Sequence, residues 1–307
     1  MARVSLMGKV VEKVVAELLS DQAESRALLS DGQFGNRKKM SAMDAAAIMV
    51  DRAHAAWKDD NLTGVLLIDI KAAFPSIARG RLIDAMKAKK IDEDLIRWTE
   101  SFLSERTVDI VMEGNVLKSH PAKAGDPQGS PVLLILLAIH NAGLIKWVEE
   151  RVQAESLSFV DDLGWVGTGK DLNPVVERLQ AFAAESIEWA NRRDPQLDTA
   201  QTEAALCTHR SGHKKQLQPK LTAKIMVGNG FVRFNTEATG CLGVWMHAHL
   251  TFKEHHNWCM KKARAQEARL RVLTKMHGII PEQGRAVWIA CVQAVALYGS
   301  ELWWDLR

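Results

Sequence analysis

The sequence lacks the features that mark secreted and membrane-spanning proteins. Its four cysteines, Cys207, Cys241, Cys259 and Cys291, are scattered and form no Cys-x-x-Cys pair. Such spacing argues against a disulfide framework and a zinc knuckle, and it is typical of a reducing compartment. The longest apolar run, Val132–Ile139, is far shorter than the roughly 18 residues that a membrane span needs. We therefore expect an intracellular protein.

The chain also lacks repeats, low-complexity segments and any long linker rich in proline or glycine. Its composition, 47% hydrophobic and 25% charged, is that of an ordinary globular protein, and it excludes collagen-like and disordered classes. A chain of 307 residues has room for about two domains and can bury about 75% of its extended surface. The sequence therefore predicts a folded core that needs no covalent cross-links.

Positive charge is concentrated in the C-terminal third. Residues 209–285 contain 14 lysines and arginines against 4 acidic residues, a net charge of +10, and the rest of the chain sums to −7 for a total of +3. This asymmetry points to a polyanionic partner. A solvated basic face explains the charge equally well, so the charge distribution alone leaves both interpretations open.

Hydrophobic periodicity predicts interleaved helices and strands. Helices are expected over residues 4–19, 42–57, 79–89, 92–104, 131–151, 171–192, 252–276 and 282–299. Strands are expected over residues 64–70, 108–112, 116–119, 157–160, 163–166, 225–227, 231–234 and 242–245. The first helix should bury the face formed by Val4, Met7, Val11, Val14, Val15 and Leu18. Hairpins dominate the strand pairs, which favours an α+β domain with a mainly antiparallel sheet and a helical appendage.

Three aspartates stand beside apolar strands. Asp69 ends the first strand, and Asp161 and Asp162 are expected together at the tip of a hairpin. Acidic residues at a turn are usually solvated turn formers. If the two strand segments are neighbours in one sheet, however, three carboxylates meet at one edge, and their repulsion would require a cation. Hard oxygen ligands favour Mg²⁺ or Mn²⁺, and two such ions about 3.5–4 Å apart form the clamp used for phosphoryl transfer.

Three segments resemble the catalytic motifs of reverse transcriptases, in the family's order and spacing: Asp69–Phe74, Gln128–Pro131 and Phe159–Asp162. Three further short segments are similar to those of non-LTR (LINE-type) retrotransposon polymerases, especially fungal ones: Gln33–Gly35, Cys241–Val244 and Ala296–Trp303. The resemblance covers essentially the whole chain.

The resemblance implies a right-hand polymerase palm, an antiparallel sheet with flanking helices, with partial fingers and the start of a helical thumb. The expected boundaries are partial fingers at 1–61, palm at 62–77, a fingers insertion at 78–125, palm at 126–250 and an incomplete thumb at 251–307. The implied activity is RNA-directed DNA synthesis, in which a primer 3′-hydroxyl is extended with dNTPs by two-metal phosphoryl transfer. The implied partners are an RNA template and a DNA primer, with two Mg²⁺ or Mn²⁺ ions and no membrane, in the nucleus and the cytoplasm.

The resemblance also implies roles for individual residues. Asp69 and Asp161 would ligate both metal ions, and Asp162 would support them more indirectly. The nucleotide would be bound by Arg3, Phe74, Gln128 and Gly129, with the ring of Phe74 excluding a ribose 2′-hydroxyl. Nucleic acid would be contacted by a primer-grip strand at Leu242 and Gly243, and by the basic thumb residues Lys261, Lys262, Arg264 and Arg271.

Departures from the family pattern bear on activity. Gln201 stands where the family usually has a lysine that protonates the leaving pyrophosphate, and an amide cannot replace an ammonium group. We expect upstream finger strands, the end of the thumb, and endonuclease and RNase H segments to be absent, as in a fragment of a retrotransposon polyprotein. Two interpretations stay open: an active polymerase, or a catalytically inactive remnant that at most binds nucleic acid. The order of the motifs disfavours a third, an interaction module whose acids serve only turns.

Overall fold

Helices and antiparallel hairpins alternate along the chain. The computed structural model describes residues 6–71, 78–104, 107–112, 115–121, 129–193, 196–209, 223–235, 238–278 and 280–303. Its helices are α1 (Leu6–Ser25), α2 (Ala42–Lys58), α3 (Arg79–Ala88), α4 (Glu93–Phe102), α5 (Leu133–Val152), α6 (Leu172–Arg193), α7 (Lys253–His277), α8 (Pro281–Trp288) and α9 (Ala294–Ala296). Its strands are β1 (Leu62–Lys71), β2 (Thr107–Met112), β3 (Asn115–Pro121), β4 (Glu155–Phe159), β5 (Asp162–Gly169), β6 (Gln196–Cys207), β7 (Lys224–Val227), β8 (Gly230–Arg233), β9 (Thr239–Cys241) and β10 (Val244–Met246).

The central element is a four-stranded sheet with the order β4-β5-β1-β6, and each of its strand pairs is antiparallel. Three further hairpins, β2–β3, β7–β8 and β9–β10, form two-stranded sheets of their own. This arrangement confirms the predicted α+β class. It also confirms that the first strand and the hairpin carrying the paired aspartates are neighbours in one sheet.

Strand β1 is buried on both faces, which explains its nearly continuous apolar sequence. Leu66, Ile68 and Ile70 pack in a core with side chains of α5 and α6. Val65 and Leu67 belong to a second core, formed with α2 and the β9–β10 hairpin. Every second residue of a strand points to the same face, so Asp69 lies on the same face as Val65 and Leu67. This is the face that α2 and the β9–β10 hairpin cover, and Asp69 lies at the end of the covered part.

Helix α5 confirms that the apolar run Val132–Ile139 is a buried helix. Leu136, Leu137 and Ile139 are at most 1% exposed, and the helix separates the core of the sheet from the core formed with α1 and α3. Within the described part of the chain, no helix is both long enough and apolar enough to cross a membrane.

The buried face of α1 differs from the predicted one. Val15 and Leu19 pack against α5 together with Ala23, whereas Val11, Val14 and Leu18 are about half exposed. Glu12 is buried on the packed face and accepts a hydrogen bond from the Ser130 hydroxyl. Apolar residues occur nearly all round this helix, so the hydrophobic pattern could not identify which face is buried. The buried face also contains a hydrogen-bonded glutamate, which the pattern does not predict.

Two elements in the C-terminal half of the chain were also predicted wrongly. Strand β6 was missed because its residues 199–205 are rich in Ala, Gln, Glu and Thr, which carry little apolar alternation; pairing with β1 makes it a strand. The helix expected over 282–299 is interrupted, because the π-helical residues Ile289–Gln293 separate α8 from α9. The other predicted helices and strands are present, with ends shifted by a few residues.

Gly64 sets the distance between β1 and α6. A Cβ atom at this position would lie 2.4 Å from Val175 Cγ1 and 2.9 Å from Leu179 Cδ1. We expect Gly64→Ala to destabilise the protein by about 1–3 kcal/mol, because well-packed cores resist added atoms. In Gly80→Ala the new Cβ meets no atom within 4 Å, and we expect an effect between zero and about 1 kcal/mol of stabilisation. Urea unfolding followed by circular dichroism measures both, and equal effects would contradict the packing role of Gly64.

Candidate active site

Acidic residues from three adjacent strands line up at one end of the central sheet. Asp69 on β1 stands directly opposite Asp162 on β5 and directly opposite Asp198 on β6. Directly opposed residues of antiparallel strands point to the same face, with Cβ atoms about 4.5–5.5 Å apart. The fold therefore brings three carboxylates into one row, and Asp161 adjoins it in the turn before β5.

These carboxylates affect one another electrostatically. Burial raises the pKa of Asp69, and the charges of Asp161 and Asp198 raise it further. Burial likewise raises the pKa of Asp162, with smaller contributions from Asp161 and Asp69. The ionised site is thus a concentration of negative charge, and no ion pair to these carboxylates is present among the described residues. The structure brings together the three aspartates singled out in the sequence; their catalytic roles stay predictions.

The turn that carries Asp161 differs from the predicted one. Val160 and Asp161 form the two-residue turn, and Asp162 is already the first residue of β5, paired with Phe159. Val160 adopts a left-handed φ of 59°, which a β-branched residue rarely does, so its turn position was not evident. This register places Asp162, rather than Asp161, directly opposite Asp69.

Buried polar contacts hold this turn in place. The Asn141 side chain on α5 donates to the Val160 carbonyl at 3.1 Å. From the other side, residues 32–34 pair with β4, since Ser158 donates to the Gly32 carbonyl and Phe34 donates to the Ser158 carbonyl. A Cβ at Gly35 would lie 2.2 Å from the Val160 nitrogen. The conformation of the acidic turn is therefore fixed from both sides.

The row of acids opens into a cavity of about 220 Å³. Its walls come from β1, β4, β5, β6 and the β9–β10 hairpin. The polar lining residues are Asp69, Asp162, Gln201 and Glu203, and the neighbouring apolar lining includes Leu67, Leu157, Cys241 and Leu242. Burial, followed by the charge of Asp162, raises the pKa of Cys241 to about 12, so this thiol stays protonated and is a poor nucleophile.

Gln201 reaches this cavity because β6 bulges. Leu67 pairs with Glu203 while Asp69 pairs with Asp198, so β6 carries extra residues between the two pairs. Asp198 stabilises the bulge, since its carboxylate accepts hydrogen bonds from the backbone N–H groups of Ala200 at 3.0 Å and Gln201 at 3.3 Å. Bulges commonly re-aim a side chain beside an active site. Sequence analysis missed Asp198 because β6 itself was missed.

Leu242 and Gly243 form the turn of the β9–β10 hairpin rather than the predicted strand. Their φ values are 52° and 78°, which end strand pairing at this point. The Tyr298 hydroxyl donates to the Leu242 carbonyl at 3.0 Å, and a Cβ at Gly243 would lie 3.2 Å from that hydroxyl oxygen. The turn thus requires glycine both for its conformation and for its contact with Tyr298.

The buried side chain of His255 on α7 joins this hairpin to the C-terminal segment. The Trp245 N–H donates to His255 Nδ1 at 3.3 Å, and His255 Nε2 lies 2.8 Å from the Tyr298 carbonyl oxygen. Because Nδ1 accepts, the proton of the neutral ring is on Nε2, which donates to Tyr298. His255 is one of several histidines close together in the sequence, and nothing in the sequence distinguishes it from the exposed His256 beside it.

The remaining predicted residues lie elsewhere or outside the described residues. Lys261, Lys262, Arg264 and Arg271 are exposed on α7; Lys262 Nζ lies 3.7 Å from the centre of the Trp258 ring, and Arg271 forms an ion pair with Glu267. Gly129 is exposed in the turn before α5 with a φ of 100°. Arg3, Phe74 and Gln128 lie outside the described residues.

Residues 1–205 match the reverse transcriptase (RNA-dependent DNA polymerase) family. The chain belongs to this family. Membership identifies the four-stranded sheet and its helices as a right-hand polymerase palm; the assignment of fingers and thumb and the boundaries between the parts stay predictions.

Two curated relatives come from Drosophila melanogaster. The probable RNA-directed DNA polymerase from transposon BS is 23% identical over 304 residues, which cover 97% of this chain and 33% of the relative. The RNA-directed DNA polymerase from mobile element jockey is 22% identical over 270 residues, which cover 86% of this chain and 28% of the relative. The chain thus spans about a third of the length of these reverse transcriptase relatives. Among solved structures, apo telomerase from Candida tropicalis gives a TM-score of 0.48 at 12% identity, over 66% of this chain and 36% of that one.

The contacts of His255 give a test of how the β9–β10 hairpin is held. We expect His255→Ala to destabilise the reverse transcriptase domain by about 1–3 kcal/mol, because the Trp245 N–H loses its buried acceptor. Hydrogen exchange of residues 239–246 should accelerate at the same time. His256→Ala, which changes the exposed neighbour, should cost no more than about 0.5 kcal/mol. Equal losses and unchanged exchange in both variants would show that His255 does not hold the hairpin.

Proposed function

We propose that this chain is the polymerase part of a larger retrotransposon protein and that it synthesises DNA on an RNA template. The substrates are a primer 3′-hydroxyl and dNTPs, and the element is of the non-LTR type, from a fungal host, active in the nucleus and the cytoplasm. The observation that carries the proposal is the register that sets Asp69 against Asp162 beside the cavity, within the residues that match the family. Two relatives with RNA-directed DNA polymerase names support it.

The donor set at the end of the sheet suits a hard divalent cation. Asp69 and Asp162 oppose each other and Asp161 adjoins them. Burial and the neighbouring carboxylates raise the pKa values of Asp69 and Asp162, so a cation would stabilise their ionised forms. Across the described residues, no group of three or more His, Cys, Asp or Glu side chains is already gathered as a metal site. Mg²⁺ is commonly bound by one or two carboxylates together with water and substrate phosphates, so Asp69, Asp161 and Asp162 fit this cation.

In the proposed reaction the protein residues hold and orient the reactants. Asp69 and Asp161 would hold the cations, and Asp162, at the start of β5, would support them. A bound divalent cation lowers the pKa of the attacking hydroxyl and neutralises phosphate charge. The turn of the β9–β10 hairpin forms the opposite wall of the cavity through Leu242, where it can position the end of the primer. Gln201 can donate amide hydrogen bonds there but has no transferable proton near neutral pH.

A second candidate function follows from Gln201. Because this side chain lines the same cavity as Asp69 and Asp162, its inability to supply a proton bears directly on the departing pyrophosphate. The alternative is therefore a catalytically inactive remnant that binds nucleic acid without extending a primer. The fold is the same in both cases, so a rate measurement distinguishes them.

The first functional prediction concerns Asp69. The folded pKa values of Asp69 and Asp162 lie above their unfolded values, so the metal-free protein loses stability as the pH rises from the unfolded to the folded pKa, and the loss persists at neutral pH. Asp69→Asn should therefore raise the melting temperature in EDTA. It should also abolish the stabilisation that Mg²⁺ gives the wild type, and lower primer extension on poly(rA)/oligo(dT) by roughly 10³-fold or more.

The matched control is Asp84→Asn on α3, which removes an exposed carboxylate and should leave the melting temperature, the Mg²⁺ effect and extension unchanged. An equal Mg²⁺ effect in wild type and Asp69→Asn would exclude Asp69 as a metal ligand, whatever the extension assay shows.

The second functional prediction concerns Gln201. We expect slow but measurable extension by the wild type, and a faster single-turnover rate in Gln201→Lys with little change in the dNTP concentration for half-saturation. A positioned general acid typically contributes about 10²–10⁴-fold, and we expect the partial rescue to be smaller than this full contribution. Gln201→Met, which fills similar space without a proton to give, is the control and should stay slow. Absence of extension in wild type and Gln201→Lys alike would favour the inactive remnant.

A further inference from the structure

The β7–β8 hairpin has one buried face and one unusual exposed face. Ile225 and Val227 are 0% exposed and pack in the core of the sheet. The other face is solvent-exposed and consists of Lys224, Met226, Phe231 and Arg233. Alternation along both strands explains the division, since each strand turns every second residue outward.

The strand register groups these exposed side chains into two pairs. Lys224 stands opposite Arg233, and Met226 stands opposite Phe231. Lys224 Nζ lies 4.4 Å and Arg233 Cζ 5.3 Å from the centre of the Phe231 ring. The hairpin thus presents an aromatic ring and a methionine beside two cations, and Phe231 is 48% exposed.

This face carries two costs for the isolated protein. Like charges directly opposite each other on neighbouring strands are destabilising, and no carboxylate in the described part of the chain forms an ion pair with Lys224 or Arg233. The face also leaves two large apolar side chains in water. A ligand with negative charge and flat apolar surfaces would relieve both costs.

Single-stranded nucleic acid has this combination. Its phosphates complement Lys224 and Arg233, and its unpaired bases can stack on an aromatic ring or a guanidinium plane. A duplex offers phosphates but keeps its bases stacked among themselves. An acidic peptide offers charge without flat rings. The pairing of cations with an exposed phenyl ring therefore favours the single strand.

The hairpin is anchored beside the cavity of the candidate active site. Phe234, directly after β8, bridges Ala204 on β6, and the Asn235 side chain donates to Glu203 at 3.1 Å. Glu203 lines the cavity together with Gln201. The base of the hairpin is therefore attached to a strand that lines the cavity.

We propose that the exposed face of β7–β8 is a binding surface for single-stranded nucleic acid, with Phe231 as the stacking platform. The identity of the strand as the unpaired RNA template rests on the proposed function, whereas the binding itself does not. The surface accounts for part of the excess positive charge of residues 209–285.

The experiment measures binding of the full chain to two fluorescein-labelled probes by anisotropy: an oligo(rU) of about 16 nucleotides, the upper range of such sites, and a blunt RNA–DNA duplex of equal charge. Phe231→Ala should weaken oligo(rU) binding by roughly 5- to 150-fold, the range measured for loss of one stacking contact, and duplex binding much less. Phe231→Trp should retain the affinity. Phe231→Leu, which keeps an apolar side chain, should lose it.

The charged pair is tested by salt dependence. Lys224→Ala and Arg233→Ala should each reduce the slope of log affinity against log salt by about 0.7, the value for one phosphate contact to a single strand. Lys58→Ala removes an exposed lysine of α2 and should leave the slope unchanged. Thermal melting of each variant checks that the domain remains folded.

Equal oligo(rU) affinity in wild type, Phe231→Ala and Phe231→Trp would overturn the proposal. Two further results would overturn it: an equal loss of affinity for the single strand and for the duplex in Phe231→Ala, or displacement of oligo(rU) by oligo-glutamate at equal charge concentration. Either result would indicate that this face recognises negative charge alone. The binding assay does not depend on catalysis. If the chain binds oligo(rU) as expected but does not extend a primer, the proposed activity is refuted and the proposed binding surface is retained.

Discussion

The structure is organised around carboxylates that repel one another at the end of a strand covered on both faces. Asp69, Asp162 and Asp198 occupy opposed positions on three neighbouring strands, and burial together with mutual charge raises the pKa values of Asp69 and Asp162. A fold tolerates such a row only if the rest of the sheet overcomes its cost. Gly64 lets α6 approach β1 closely, and the two cores on either side of β1 fix the strand up to Ile70.

The surroundings of this row fix its geometry through backbone contacts. Asn141 holds the Val160–Asp161 turn from the α5 side, and residues 32–34 hold β4 from the opposite side. Asp198 shapes the bulge that turns Gln201 toward the cavity. Each contact acts on main-chain atoms, so the position of the acids depends little on side-chain freedom. Such rigidity suits the proposed role of holding highly charged phosphates in one orientation.

Sequence alone identified the helices and hairpins that carry an apolar pattern, and it identified Asp69, Asp161 and Asp162 through their motifs. It failed where tertiary contacts override the local pattern. Strand β6 has little apolar alternation and is stabilised by pairing with β1. The position of Asp198 opposite Asp69 therefore could not be predicted from the sequence. The turn at Val160 requires a left-handed conformation that its sequence does not suggest, so Asp162 was misplaced by one position. The contacts of His255 and Tyr298 join segments more than 40 residues apart, a range over which periodicity carries no information.

The link from Tyr298 to Leu242 has a consequence for how far the structural unit extends. The family match ends at residue 205, yet the wall of the cavity at Leu242 is held by a hydroxyl and a carbonyl from residue 298. A polypeptide cut between these positions would retain every acidic residue of the row while losing the support of the opposite wall. The part of the chain needed to hold this cavity wall therefore extends well past residue 205, and the C-terminal helices belong to it as scaffold rather than as an accessory module.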